Sequence, residues 1–106
     1  MPKYLVLANY NTEGLKGILD KGGTSRVEAL EALCESVGGS LESFYFAFGA
    51  TDAYVTVDLP DNTTAAALCM RAAASGLVDV TTVALVTPEE IDAAGQTSVD
   101  YRPPGT

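Results

Sequence analysis

The sequence predicts an α+β fold in which six elements follow one another as strand, helix, strand, strand, helix, strand. Two observations indicate it: apolar residues recur with period two in two central segments, and two further segments have apolar residues on one helical face. The βαββαβ order is typical of the ferredoxin-like arrangement, which has a four-stranded antiparallel sheet with two helices on one face. The 106 residues fit a single domain, predicted over residues 1–95 with an extended tail over 96–106.

The first strand is predicted over Tyr4–Tyr10, and it is apolar on both faces, which indicates a position in the middle of the sheet. A short helical turn over Thr12–Leu19 follows, weakened by two glycines and ended by a glycine pair. The first long helix is predicted over Ser25–Val37, because Ser25 and Glu28 have the spacing of a capping box.

A hairpin is predicted in the centre of the chain. The strand Leu41–Phe48 places three phenylalanines on one face, residues 49–52 form a turn, and the strand Ala53–Leu59 returns. Alternate residues of that second strand are predicted to face the two helices and to form the core, namely Ala53, Val55, Val57 and Leu59.

The second half of the chain supplies the remaining elements. An alanine-rich helix is predicted over Thr63–Ala74, and the last strand over Val78–Val86. The run Thr87-Pro88-Glu89-Glu90 combines an N-cap, a proline in the first helical position and a capping box, and predicts a short helix to Ala94.

Composition excludes several classes of function. With 14 acidic and 6 basic residues the net charge is −8, which argues against a nucleic acid partner. No apolar run approaches the ~20 residues that span a bilayer, so no membrane association is predicted. Histidine is absent, which removes imidazole bases and histidine-ligated zinc or haem. The acidic residues lack the spacing of metal ligands, so neither a metal nor a cofactor is predicted.

The two cysteines, Cys34 and Cys69, both fall on the apolar faces of predicted helices. The pattern favours core thiols in a cytoplasmic protein, because no secretion signal is visible and no CxxC motif occurs. A disulfide between the two remains open at this stage, since the two helices could be neighbours.

The face of the sheet opposite the helices is about half apolar, with Leu5, Leu7, Tyr45, Ala47, Tyr54, Thr56, Val83 and Leu85. In water this would form a larger apolar patch than monomers usually expose. We therefore expect a homodimer in which two such faces pack together as a dimeric α+β barrel. Polar groups from Asn9, Tyr45, Tyr54 and Thr56 would then line a cavity for a small-molecule ligand. Tyrosine and threonine are also ordinary strand residues, so a structural role for these side chains stays open.

Two further positions are candidates for chemistry. Asp52, close to Tyr54 at the end of a strand, is the best carboxylate for a general base, and it also fits a turn residue that binds backbone amides. Arg26 follows Gly22-Gly23-Thr24-Ser25 at the start of a helix, where free amides and a cation can bind an anion. The phosphate-loop spacing is missing there, so a helix start with Arg26 in a surface ion pair is the alternative.

Three segments resemble the GYD-domain family in their order and residues: 1–26, 44–62, and 87–95 together with 101–105. The family is bacterial and has no established activity. The resemblance implies a fold similar to the dimeric α+β barrels, which include cofactor-independent monooxygenases, haem-degrading enzymes, lactone isomerases and stress-induced barrels. Gly49 and Asp52 match the Gly-Tyr-Asp signature in the turn, whereas Thr51 occupies the aromatic position. Gly49 would then supply an unusual backbone angle.

Two functions follow as expectations. The first is a small dimeric barrel that binds an apolar or aromatic molecule or acts as an accessory subunit. The alternative is a cofactor-independent enzyme similar to the monooxygenases or isomerases, which would depend on Asp52, the tyrosines and Arg26. The acidic balance favours neutral ligands, because an anion would need a local basic group and Arg26 is the candidate near a helix start.

Overall fold

Four antiparallel strands form the centre of the computed structural model, which describes residues 1–106: β1 (Lys3–Tyr10), β2 (Ser40–Phe46), β3 (Ala53–Asp58) and β4 (Val78–Leu85). Their order across the sheet is β2-β3-β1-β4, so β1 lies inside the sheet and β2 and β4 form its edges. The helices are α1 (Thr12–Lys21), α2 (Gly23–Ser36), α3 (Asn62–Ala74) and α4 (Pro88–Gln96). The predicted ferredoxin-like α+β fold is confirmed, with α1 and α4 as additions to its six elements.

The side of the sheet that packs against α2 and α3, here called the inner face, contains the core. Alternate residues of β3 point to it, and the four predicted from the sequence are all buried: Ala53, Val55, Val57 and the following Leu59. From β1, Tyr4 and Ala8 join them, and α2 contributes Cys34. Small alanines on the strands and on α3 allow helices and sheet to approach closely, which explains why few residues suffice for this core.

The opposite side, here called the outer face, carries Leu5, Leu7, Asn9, Tyr45, Tyr54, Thr56, Val83 and Leu85. None of these residues is buried in the chain. The register confirms that they share one face, since Leu7 lies opposite Tyr54 and Tyr45 lies beside Tyr54 on the other side. No secondary-structure element of the chain covers this face.

A β-bulge interrupts the edge strand β2 between Leu41 and Ser43. The extra residue is Glu42, whose carboxylate pairs with Lys3, and Lys3 also lies 2.9 Å from the Asp58 carboxylate. The strand ends at Phe46, two residues earlier than predicted, and Phe48 lies fully exposed in the loop. The prediction that the strand continues to Phe48, with this residue on the same face as Phe44 and Phe46, was therefore wrong, because the chain leaves the sheet before reaching it.

A sharp corner joins α1 to α2. Gly22 has φ of 88°, a left-handed conformation that favours glycine, and it is the N-cap of α2 without a side-chain cap. The helix thus begins at Gly23, and the predicted capping box of Ser25 and Glu28 was wrong because both residues already lie inside the helix. Helix α1 also continues to Lys21, beyond the predicted turn.

Both α1 and α3 begin at side-chain caps. The side chain of Asn11 accepts a hydrogen bond from the Gly14 amide at 2.9 Å, and Asp61 accepts from the Thr64 amide at 2.8 Å. The Thr64 amide and hydroxyl together lower the pKa of the Asp61 carboxyl, because they hydrogen-bond to its charged form. These caps fix where each helix leaves the sheet.

The chain beyond β4 extends away from this body. The predicted capping box is confirmed, since the Thr87 hydroxyl accepts from the Glu90 amide and the Glu90 carboxylate accepts from the Thr87 amide. Every residue over 86–106 is nevertheless exposed, and none of the substantial packing between elements involves α4. The radius of gyration of 16.9 Å exceeds the ~13 Å typical of a compact chain of this length. This segment is called the C-terminal arm below.

None of the helices is both long enough and apolar enough to cross a membrane.

Candidate functional site

A cleft of about 430 Å³ opens between α1, the first turns of α2 and the end of α3. Its walls come from three helices that are separate in the sequence: Ile18 from α1, Ala29 and Leu33 from α2, and Ala72 from α3. Tyr10 and Val78, where β1 ends and β4 begins, also line it. The position follows from the corner at Gly22, which turns α2 back along α1 and leaves a gap toward the end of α3.

The cleft is positively charged in an acidic protein. Lys21, Arg26 and Arg71 line it, which are three of the six basic residues of the chain. None of the 14 acidic residues does so. Neither Arg26 nor Arg71 forms an ion pair, and the nearest carboxylate to Lys21 is that of the neighbouring Asp20, at 3.8 Å. The surface ion pair expected of Arg26 was therefore wrong.

Arg26 has the most unusual environment of the three. Its Nε is buried and has no hydrogen-bond partner, and no other buried side-chain nitrogen or oxygen of the protein is left so. A buried donor without a partner is unfavourable, by roughly 1–3 kcal/mol. The structure thus holds a permanent cation at the cleft, one of whose N–H groups is buried with nothing in the chain to accept from it.

Behind the cleft, an apolar cavity of about 70 Å³ lies between the helices and the inner face. Of its 19 lining residues 17 are hydrophobic, and one of the two others is Arg26. Cleft and cavity share five lining residues, which lie where the two adjoin: Tyr10, Arg26, Leu33, Ala72 and Val78. Arg26 thus lies where a charged compartment meets an apolar one.

The structure does not bring the predicted ligand-binding residues together. Asn9, Tyr45, Tyr54 and Thr56 lie on the outer face and line neither the cleft nor the cavity, whereas Arg26 lies on the helical side of the sheet. The side chains of Tyr45 and Tyr54 are 72% and 45% exposed, and the Thr56 hydroxyl is hydrogen-bonded to that of Ser43. These residues form a surface in the single chain.

The comparisons with known proteins give one result. The family model of the GYD domain matches residues 4–94, which is most of the chain. The chain belongs to the GYD domain family. No curated protein and no solved structure matches it significantly. The matched range of this GYD domain includes every residue that lines the cleft and the internal cavity.

In this GYD domain Asp52 fastens the hairpin loop to β1. Its Oδ2 accepts a hydrogen bond from the Tyr10 amide at 2.9 Å, and its own amide donates to the Asn9 Oδ1 at 3.1 Å. The carboxylate therefore acts as a turn residue that binds a backbone amide, and its role as a general base with Tyr54 stays a prediction. Gly49 does not have a positive φ, so the unusual angle expected there was wrong.

The two cysteines of the GYD domain are free thiols in different surroundings. Cys34 is completely buried, and burial, with a smaller contribution from Glu35, raises the pKa of its thiol. Cys69 is half-buried at the internal cavity, with its Sγ 2.7 Å from the Thr82 hydroxyl. No cluster of three or more Cys, Asp or Glu residues that could hold a metal ion occurs.

Sequence reasoning missed Lys21 and Arg71 as members of the site. A signal for Arg71 was present: like Arg26, it has no acidic residue three or four positions away on its helix, although acidic residues outnumber basic ones by 14 to 6. Helical cations usually gain from such acidic neighbours. Two helical arginines without them are an indication that their charge serves another purpose.

Proposed function

We propose that this GYD domain binds a small, largely apolar molecule between its helices and its sheet, and that it does so as a homodimer. The observation that carries the proposal is the 430 Å³ cleft with the apolar cavity directly beside it. Clefts of roughly 300–1,000 Å³ with mostly apolar walls and a few polar groups are typical of small-molecule sites. The cavity alone is too small for a metabolite, so it would receive one apolar group while the rest of the ligand fills the cleft.

The homodimer is supported by the outer face. Its charged residues lie at the strand ends, with Lys3, Glu42 and Asp58 at one end and Asp79 at the other. The centre, around Leu7 and Tyr54, is neutral and largely apolar. Two chains that each carry a charge of −8 repel each other, and the repulsion is weakest where two neutral surfaces face each other. A second copy offers the same neutral surface under a two-fold axis, so we assign the outer face to self-association.

The C-terminal arm supports the same arrangement. Ile91, Val99 and Tyr101 are exposed apolar side chains on a segment that its own chain does not cover. An arm that extends beyond its own domain and carries apolar anchors is suited to lie against a second copy. We therefore include the arm in the proposed dimer contact.

Binding without a chemical step is the version that the geometry favours. The carboxylate expected to act as a base, that of Asp52, is engaged with the Tyr10 amide at the edge of the hairpin. The alternative of a monooxygenase or isomerase rests on the family resemblance alone.

The binding site is tested by filling the place where cleft and cavity adjoin. Ala72 lines both, so Ala72→Leu should weaken binding of the neutral fluorescent probe N-phenyl-1-naphthylamine at least about tenfold, through loss of the apolar volume. Ala66→Leu on the exposed side of α3 is the matched control and should leave affinity unchanged. Equal affinity in both variants, or no binding by the unaltered protein, would contradict the proposed site.

The dimer is tested by light scattering coupled to size exclusion. The unaltered chain is expected at twice 11.0 kDa, and Leu7→Glu at the centre of the outer face is expected to give monomers because it buries a charge in the contact. Leu19→Glu, at an exposed position of α1, is the matched control and should remain dimeric. A monomeric unaltered chain at micromolar concentration would overturn the dimer.

A further inference from the structure

We propose that the ligand of this cleft is a monocarboxylic acid with an apolar body, and that Arg26 and Arg71 bind its carboxylate. The inference rests on the proposed binding function and specifies its ligand class. It replaces the expectation from composition that a neutral ligand is favoured, because the charge of the whole chain and the charge of this cleft have opposite signs.

The first argument is the distribution of charge. In a protein with 14 acidic and 6 basic residues, a compartment lined by three basic and no acidic residues differs strongly in charge from the average surface. The basic residues elsewhere on the strands and on α1 are neutralised in place: Lys3 pairs with Glu42 and Asp58, and Lys16 pairs with Glu13. The two helical arginines are not neutralised by any side chain, so the cleft has an unbalanced positive charge that an anion would balance.

The second argument is the position of Arg26 on its helix. It is the fourth residue of α2, near the positive end of the helix dipole, where a cation is disfavoured. Lys21 and Arg71 lie in the last turns of α1 and α3, where a cation also offsets the dipole, but Arg26 has no such local reason. In addition, α2 has no side-chain cap and no acidic residue in its first turn, so its free amides add to the positive potential at the cleft.

The buried Nε of Arg26 has no hydrogen-bond acceptor in the protein. A guanidinium presents its N–H groups in a planar fork that matches a carboxylate with two parallel hydrogen bonds. A carboxylate at this fork would balance the charge of the guanidinium, and it would become the missing acceptor of Nε once the side chain turns that N–H toward the cleft.

The surroundings of Arg26 define the rest of the ligand. Because Arg26 also borders the apolar cavity, a carboxylate on its guanidinium places the attached carbon skeleton against Leu33, Ala72 and Val78. The cavity itself offers little to a second charged group, since 17 of its 19 lining residues are hydrophobic. An aromatic or aliphatic monocarboxylate fits this combination of one cationic wall and an apolar interior.

The experiment compares acids with their neutral amides of nearly identical shape. Affinities of 2-naphthoate and 2-naphthamide, and of octanoate and octanamide, are measured by titration calorimetry on the full chain. We expect at least one acid to bind about tenfold or more tightly than its amide, since hydrogen bonds to charged groups are the stronger ones. The preference should decrease as salt is added.

Variants assign the preference to residues. Arg26→Met, which suits the apolar surroundings and removes the charge, should abolish the difference between acid and amide, and Arg26→Lys should restore part of it. Arg71→Gln should reduce it. Lys16→Gln is the matched control, because it removes one positive charge from α1 outside the cleft and should leave the preference unchanged.

The outcomes separate the two proposals. Equal binding of acid and amide overturns the carboxylate inference and leaves the apolar site intact. A preference for the acid that Lys16→Gln lowers as much as Arg26→Met does also overturns the inference, because it would reflect net charge alone. Binding of neither member of either pair overturns the inference, and failure of N-phenyl-1-naphthylamine to bind as well would overturn the site itself.

Discussion

The two faces of the one sheet in this protein differ sharply. All buried hydrophobic residues of the chain, from small alanines to Tyr4, lie on the inner face or on the helices and connections packed against it. The outer face also carries large residues, including two tyrosines and three leucines, and buries none of them. The monomer therefore folds on one face only. The apolar side chains of the outer face stay exposed when the chain folds, so their surface is free to contact another molecule.

The largest expected difference in stability comes from shortening one leucine to alanine on each face of the sheet. Leu59→Ala, at a residue 2% exposed, should lower the free energy of unfolding by about 3 kcal/mol, because it leaves a cavity in the core. Leu7→Ala, on the outer face, should cost about 1 kcal/mol or less under conditions where the chain is monomeric. Urea unfolding at low protein concentration measures both. Equal losses would mean that the outer face contributes to the monomer as much as the core does.

A second test concerns the helical layer on the inner face. A Cβ at Gly14 would overlap the carbonyl oxygen of Leu77, whereas a Cβ at Gly17, one turn further along α1, meets open space. Gly14→Ala should therefore destabilise by about 2 kcal/mol through overpacking, and Gly17→Ala should stabilise by about 0.5–1 kcal/mol through helix propensity. Thermal unfolding compares the two. If Gly14→Ala is tolerated, α1 is not held tightly against the turn before β4.

The smallest effect concerns the thiols. Since burial raises the pKa of Cys34 above its ordinary value of 9.0, iodoacetamide at pH 8 should label Cys69 well before Cys34 in the folded protein, and both equally in urea. The sign of the linkage follows: the stability that Cys34 contributes is present below pH 9 and is lost as the pH rises toward the higher folded value. Cys34→Ala should remove this contribution to the loss of stability at alkaline pH. Equal labelling rates in the folded protein would contradict the buried position.

Much of this contrast was predictable from local patterns. The alternation from Ala53 to Leu59 identified the inner face correctly, and Thr87-Pro88-Glu89-Glu90 gave the start of α4, because period and capping are local properties. The boundaries of β2 and α2 were less predictable. Phe48 continues the period of its strand but lies past its end, and Ser25 resembles a cap although Gly22 forms the corner.

The candidate site was less accessible to sequence reasoning, because three helices form it. Arg26 was identified from its neighbours, but it was grouped with Asn9, Tyr45 and Tyr54 of the outer face, from which the sheet separates it. Its actual companion, Arg71, is 45 residues away in the chain and meets the cleft only because α3 packs on β4. Distance in sequence hides such a pair, while the scarcity of cations in this chain makes it recognisable once the fold is known.

The bulge at Glu42 has a consequence for how copies of the protein can meet. Edge strands with free amides and carbonyls invite further strands, and uncontrolled addition of this kind leads to aggregation. In β2 the extra residue disrupts the ladder and places the charges of Lys3, Glu42 and Asp58 beside that edge. Growth of the sheet sideways is thereby discouraged at β2, whereas the neutral centre of the outer face has no such protection.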